Sequence, residues 1–533
     1  MVSLLRQPNF VCGATEVTPF RFEETGENGV RYQYAVKGNS AKITIFPSGS
    51  PVKYLKLRFS GDLSAVDKVY GDQWERVGEP SFLQWTALRA GRILPWFCYV
   101  KSGEKLSCYG VKTGADCFAA FQVDTAGITL FLNLCNGVNG TDLQQPLLAC
   151  EVVEMVDCEG DVYQIASQFS CLLCDCPVLP KTPIFGVNNW YWAYGNISKE
   201  SVLEETDYLL EMTKGSKNQP YMIIDDGWQK NRIPGAGNYI GGEWTPNEKF
   251  GDMCALTQSI HEKGAKAGLW FRPLLTREEI PDEAKLSEEN GGFVLDPSHP
   301  FTLEKVYQDA KRIRGWGFDL IKHDFTTIDA TGLSVLQAEK HVAEMTAKNR
   351  SFYDKTKTTA TIIKNLYKAI QEGAGDAEVI GCNTIGHLSA GIHSITRVGH
   401  DTSGRSFEWT RRNGINSFMR LPLNGALYNV DPDCAAFTEK VDAEINLDFL
   451  EVCALTGMTT LASVTPHILT EAQMLRINEI FRIADKQTEN YGIVDYDNNE
   501  SPERFVSKDG TKQRHFQWNG VYNGSRIVLA WME

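Results

Sequence analysis

At 533 residues, with 42% hydrophobic and 23% charged side chains, the chain has the make-up of an ordinary globular protein and too much length for one compact core. Two to four domains are expected. A net charge of −14 with no Lys/Arg-rich run excludes nucleic acid and anionic membrane as natural partners and suits a neutral ligand such as a sugar.

No stretch of about 18 apolar residues reads as a membrane span. The first residues, MVSLLRQPNFVCGATEV, lack the apolar core of a secretion signal, so a cytoplasmic location is the expectation. Fourteen cysteines occur at irregular spacings. The group Cys171, Cys174 and Cys176 lacks a second CxxC or a His pair at usable distance, so these read as ordinary reduced thiols. With only nine histidines and no HExxH, a zinc enzyme is disfavoured, and neither metal nor cofactor is expected.

Residues 1–178 read as an N-terminal β-sandwich. Alternating or β-branched runs (Ala41–Phe46, Lys53–Phe59, Ile128–Leu134, Ala149–Val156) are punctuated by turns such as Ser60-Gly61-Asp62, with no convincing helical segment between them. After Pro180 the pattern changes, and short apolar runs alternate with amphipathic stretches. Strands are expected at Phe185–Trp192, Tyr221–Asp225, Ala267–Phe271, Leu320–His323, Glu378–Cys382 and Ser394–Val398, with a faint seventh near Gly425–Tyr428 and an eighth at Met458–Ser463. Helices are expected between them, among them Lys199–Met212, Phe250–Lys263, Leu303–Trp316, Lys364–Glu372, Glu408–Met419, Thr438–Leu455 and Glu471–Lys486. Eight βα units over residues 179–488 predict an α/β fold, a (β/α)₈ TIM barrel. A doubly wound sheet lacks its G-x-G-x-x-G or Walker signature here. Residues 489–533 alternate again and read as a small C-terminal β region.

Barrel active sites are built at the C-terminal ends of the strands. Here those ends carry Trp190, Asp225-Asp226-Gly227-Trp228, Trp270-Phe271-Arg272, Lys322-His323-Asp324, Cys382-Asn383, Arg397-Val398-Gly399-His400-Asp401 and Asp431-Pro432-Asp433. Carboxylates at four ends, among aromatics and cations, describe a polar pocket with stacking walls, as a sugar requires. Any one of these aspartates alone reads as a helix cap or turn residue. Glycoside cleavage needs two facing carboxyl groups, and four acidic ends supply such a pair in several ways.

The ordered set FGVNNW, IDDGWQ, GLWFRP, IKHD, RVGHD and DPD resembles the clan of α-galactosidases that contains glycoside hydrolase families 27 and 36 and the raffinose-synthase-like proteins, over residues 183–470. The resemblance implies a retaining α-galactosidase acting on a small or oligosaccharide α-galactoside. It makes Asp324 the nucleophile and Asp401 the acid/base. It gives Asp225 and Asp226 the 4- and 6-hydroxyls, helped by Lys322, makes Trp190 a stacking wall and places Trp270 at the family's third-strand aromatic. Asp433 would orient Arg397 or assist the ring hydroxyls, and Cys382 and Asn383 would face the 2-position. On these roles Lys322 should favour an ionised Asp324, while Asp401 should sit in a less cationic place that keeps it protonated. The two carboxyls should lie about 5–5.5 Å apart. His323 and His400 read as packed histidines. Three features depart from the family pattern: Arg272 replaces an acid, the Gly-Cys-Asn-Thr-Ile-Gly segment matches neither family, and the N-terminal region is short. A transglycosylase of raffinose-synthase type, a hydrolase of a related sugar with an axial 4-hydroxyl, and a catalytically dead carbohydrate-binding barrel are the competing readings.

Overall fold

The computed structural model describes residues 1–18, 29–76, 83–88, 92–231, 241–289, 291–333, 350–487, 490–498 and 500–518. Two antiparallel sheets come first. One has five strands in the order Phe10–Thr15, Val52–Ser60, Gly127–Asn133, Phe118–Asp124, Ile93–Pro95. The other has seven, in the order Arg31–Lys37, Ser40–Phe46, Leu147–Glu159, Lys105–Val111, Phe97–Ser102, Lys68–Gly71, Thr86–Ala87. Alternation in sequence becomes alternation in burial: in Ser40–Phe46, Ala41, Ile43 and Ile45 face inward.

One element in this region contradicts the reading of an uninterrupted β segment. Val162–Leu173 is a helix, with Asp161 capping it by accepting from the Gln164 amide at 2.9 Å. It buries Ile165, Ala166, Phe169, Ser170 and Leu173, the three-four spacing of one helical face.

The barrel strands are Phe185–Asn188, Tyr221–Ile224, Lys266–Phe271, Leu320–His323, Glu378–Gly381, Ile395–Arg397, Asn429–Asp431 and Thr460–Val464, all paired in parallel, with a ninth segment, Cys434–Phe437, on the last of them. The seventh barrel strand is thus split. Its first half pairs with the sixth strand, its second half pairs with the eighth, and together they close the ring. Pro432 has no N–H for the ladder and Asp433 adopts φ 65°, so the Asp-Pro-Asp sequence is where the strand changes partner. This strand lies C-terminal to the expected Gly425–Tyr428, whose residues form a turn following a 3₁₀ segment at Leu421–Leu423.

The C-terminal residues form a three-stranded sheet, Gly492–Ile493, Arg504–Val506 and Gln513–His515. Trp518 anchors it against Phe418 and Phe449 at 5.6 and 6.2 Å between ring centroids. Gly414 is required there, because a Cβ would come within 2.2 Å of the Trp518 ring. Residues 519–533 of the expected C-terminal β region lie outside the described residues. Among the described residues no helix is long and apolar enough to cross a membrane.

Candidate active site

The strand ends converge on one mouth, and each is locked to its neighbours. At the first strand, the Asn188 side-chain amide donates to Asp225 at 2.8 Å, and the Asn188 oxygen accepts from the Trp190 amide at 3.0 Å. Trp190 opens a single helical turn and packs edge-on to Tyr194, centroids 5.6 Å apart. At the second strand, Asp225 also accepts from Lys322 Nζ at 2.7 Å and from the Asp226 amide at 2.9 Å. Asp226 is gripped by the Gln229 amide at 2.6 Å. The Lys322 and Asp225 side chains are only 7% and 5% exposed. Burial works against the charged lysine, but Asp225, backed by Cys382 and Asp433, more than restores it, so Lys322 stays protonated well beyond its ordinary range.

Asp324 is half-buried. One oxygen accepts from the Trp270 indole at 3.3 Å and the other from the Phe325 amide at 2.8 Å. Phe325 carries φ 62°, a conformation costly for a bulky residue by about 1–2 kcal/mol, and it turns the chain abruptly from strand into the helix Thr326–Thr331. Arg272 pairs with Asp329 and also lies within reach of the Asp324 charge. It donates to Asp329 at 2.8 Å and lies 4.3 Å over the Phe325 ring, so it fixes that turn. His323 points to the other side of its strand. Its Nε2 lies 3.2 Å from that of His393, and burial lowers its pKa to about 3.

At the sixth strand Arg397 is held between Asp401, its hydrogen-bond acceptor, and Asp433 at 3.5 Å. Gly399 is obligatory on this turn, because a Cβ would sit 1.6 Å from the Asn413 side-chain oxygen. Asp433 accepts from the Tyr191 hydroxyl and from the Thr402 amide at 2.9 Å. Burial, then the nearby Asp433, raises Asp431 to about 6. His400 lies 5.5 Å from the Trp409 ring, and burial lowers it to about 4.

Lys322 donates to Asp225, and the donors to Asp324 are the Trp270 indole and a backbone amide. One electrostatic expectation is overturned. Asp401 is not in a cation-poor place. Besides Arg397, Arg76 Nη1 donates to it at 3.2 Å. Although desolvation pushes the Asp401 carboxyl up, Arg397, His400 and Arg76 together pull it well below the usual range. Asn383 also differs from expectation. Its amide donates to Glu75, and its oxygen accepts from the Ile328 amide at 3.3 Å, so it ties the barrel to the sandwich.

The sandwich residues at the mouth were not foreseen. Asp72, Glu75 and Arg76 follow the strand Lys68–Gly71. Asp72 accepts from Arg420 at 2.5 Å and from the Trp96 indole at 2.9 Å, and Arg76 reaches Cys382 Sγ at 3.9 Å. In sequence they lie in the polar run Asp72-Gln73-Trp74-Glu75-Arg76, far from the barrel strands. All fourteen cysteines are free thiols, and among the described residues no group of three or more His, Cys, Asp or Glu side chains is arranged to hold a metal.

The fold is that of solved α-galactosidases, a family 36 enzyme among them. No family model matches the sequence. The α-galactosidase TtGalA of Thermus thermophilus, solved with p-nitrophenyl α-D-galactopyranoside, superposes at a TM-score of 0.61 with 16% identity, over 91% of this chain and 96% of its own. The family 36 α-galactosidase AgaA of Geobacillus stearothermophilus gives 0.58 at 15% identity, over 90% of this chain and 71% of its own. In sequence, α-galactosidase A of Cellvibrio japonicus is 24% identical over 147 residues, 28% of this chain. The bifunctional α-galactosidase/sucrose kinase AgaSK of Mediterraneibacter gnavus is 27% identical over 95 residues, 17% of this chain. These matches span 31% and 9% of the two relatives' lengths.

Proposed function

We propose that the protein is a retaining α-galactosidase that hydrolyses terminal α-galactosides by double displacement. The observation that supports this reading is a shared neighbour: Arg76 donates to Asp401 at 3.2 Å and also feels the charge of Asp324, so one cation serves both carboxylates. Asp324 attacks the anomeric carbon, and its indole and amide donors hold it in place without neutralising it. Asp401 gives a proton to the leaving oxygen, then, as base, takes one from the water that releases the sugar. Because its partners favour the ionised form, Asp401 takes up its proton as the substrate binds. Asp225 and Asp226 accept from the axial 4-hydroxyl and the 6-hydroxyl, with Lys322 paired to Asp225. Trp190 and Trp270 supply apolar faces for the ring. The α-galactopyranoside bound by TtGalA supports the choice of sugar.

The test is product analysis on nitrophenyl glycosides, raffinose and melibiose, with proton NMR of the first-formed product. An initial α anomer supports retention, and an initial β anomer overturns it. Buried acceptors left unpaired cost about 1–3 kcal/mol each, so kcat/KM for the α-galactoside should exceed that for the α-glucoside by about 10²-fold or more. Equal values would favour a glucosidase. Oligosaccharide products in place of free galactose would make the enzyme a transglycosylase.

A further inference from the structure

The acid/base aspartate is clamped by a residue that the barrel does not supply. Arg76 comes from the N-terminal sheets, 325 residues before Asp401 in sequence, and its side chain is 6% exposed. Its Nη1 donates to Asp401 at 3.2 Å and lies 3.9 Å from Cys382 Sγ, while its Nε donates to Glu75 at 3.2 Å. The segment behind it is anchored to the barrel at several points. Arg420 donates to Asp72 at 2.5 Å and to the Glu75 carbonyl at 2.8 Å, and Asn383 donates to the Glu75 carboxylate. A guanidinium held this way cannot swing out without breaking contacts on both sides.

The charged and titratable groups around Asp401 come from four directions. Arg397 and His400 belong to its own strand end. Tyr191 comes from the first strand end, and Asp433 from the seventh through its pairing with Arg397. Arg76, backed by Glu75, comes from the sandwich. Arg397 divides its charge between Asp401 and Asp433, and Arg76 divides its charge between Asp401 and Glu75.

We propose that Arg76 is a positioning residue for the acid/base Asp401: it fixes the carboxylate's orientation and biases it toward the ionised form, tying the chemistry of the barrel to the docked sandwich. This rests on the assignment of Asp401 made above. The bias has opposite consequences for the two half-reactions. It disfavours the protonated acid needed to expel a poor leaving group, and it favours the ionised base needed to hydrolyse the glycosyl-enzyme. An opposite charge within about 4–6 Å moves a carboxyl by about 1–3 pH units, so removing one of two such charges should produce a shift of about one unit.

The experiment compares wild type, Arg76→Met and Arg76→Lys. In Arg76→Met the basic limb of the kcat/KM profile for raffinose should move up by about one pH unit. With an activated aryl galactoside, where release of the sugar limits turnover, kcat should fall, and its acidic limb should move up by about the same amount. Arg76→Lys keeps the charge and should restore the limbs most of the way. A purely structural role predicts lower thermal stability with unmoved limbs. That outcome, or limbs that shift equally in the Lys and Met variants, overturns the proposal. A second arm needs no galactoside: carbon-13 NMR of labelled aspartate carboxyls, with the Asp401 signal assigned by Asp401→Asn, should show that carboxyl titrating about one unit higher in Arg76→Met. An unmoved signal overturns the proposal even in an active enzyme. A wild type inactive on every galactoside refutes the functional reading instead, and the NMR arm still decides whether Arg76 controls Asp401.

Discussion

Lys322 offers the sharpest test of the sugar-recognition half of the site. Its Nζ lies 2.7 Å from Asp225, and both side chains are almost fully buried. Replacing Lys322 with Met keeps its bulk and strands a buried carboxylate. Removing one partner of a buried pair costs about 3–5 kcal/mol. Asp225 retains two donors, the Asn188 amide at 2.8 Å and the Asp226 backbone amide at 2.9 Å, so the low end of that range, about 3 kcal/mol, is expected. Separately, a weakened grip on a substrate hydroxyl costs about 1–3 kcal/mol in the transition state, which at about 1.4 kcal/mol per factor of ten is a loss of about 10- to 10²-fold in kcat/KM on nitrophenyl α-galactoside. Asp225→Asn should do comparable damage, since it strands the cation. The double variant Lys322→Met/Asp225→Asn removes both charges, so denaturation should show most of the lost stability restored, with activity still down. If either single variant kept kcat/KM within about fivefold of wild type, or the double variant recovered activity, the pair would be a fold element and the recognition argument would fall.

Three further outcomes follow from the same geometry. Asp324→Asn should lower kcat by about 10⁴-fold or more while folding normally, and a mechanism-based fluorosugar should label Asp324 in peptide maps; normal turnover would remove it as nucleophile. Asp401→Ala should be slow on poor leaving groups yet form the glycosyl-enzyme readily from activated aryl substrates, and equal losses on both would turn attention to Asp433. Glu205 accepts from the Trp192 indole at 3.0 Å and is 1% exposed, and burial raises its pKa to about 8. The folded state therefore holds a proton that the unfolded chain releases near its ordinary value. That contribution to stability is complete at acid pH and is lost as pH rises toward 8. Glu205→Gln should thus gain in melting temperature relative to wild type between pH 5 and 8, and a gap that does not change with pH would contradict the neutral carboxyl.

What was legible in the sequence followed from how local each feature is. Barrel strands such as Leu320–His323 announce themselves as short apolar runs, and the residues at their C-terminal ends are necessarily neighbours in a closed ring. The helix Val162–Leu173 had a readable signal in Asp161 and its three-four apolar spacing, yet it was outweighed by the β runs that precede it. The split seventh strand was harder, because each half has only three or four residues and neither shows a period. Pro432 marks the break only once the pairing partners are known.

Electrostatics resisted sequence reading for a different reason. Motif spacing places a charge along one strand, but a carboxylate responds to every charge within a few ångströms, whatever its position in the chain. The Lys322-x-Asp324 spacing suggests that lysine and aspartate act on one another. In the fold the lysine turns to the neighbouring second strand, and indole and amide donors replace it. Asp401 shows the same effect more strongly. Four residues of sequence tie it to Arg397, and nothing local points to Arg76. The consequence is chemical as well as descriptive. If Asp401 is the acid/base proposed above, its two flanking guanidiniums start the cycle with it ionised, and its proton arrives with the substrate. Any change that loosens the sandwich from the barrel, even far from the pocket, should therefore appear first in the pH dependence of the rate, before it lowers the rate at its optimum.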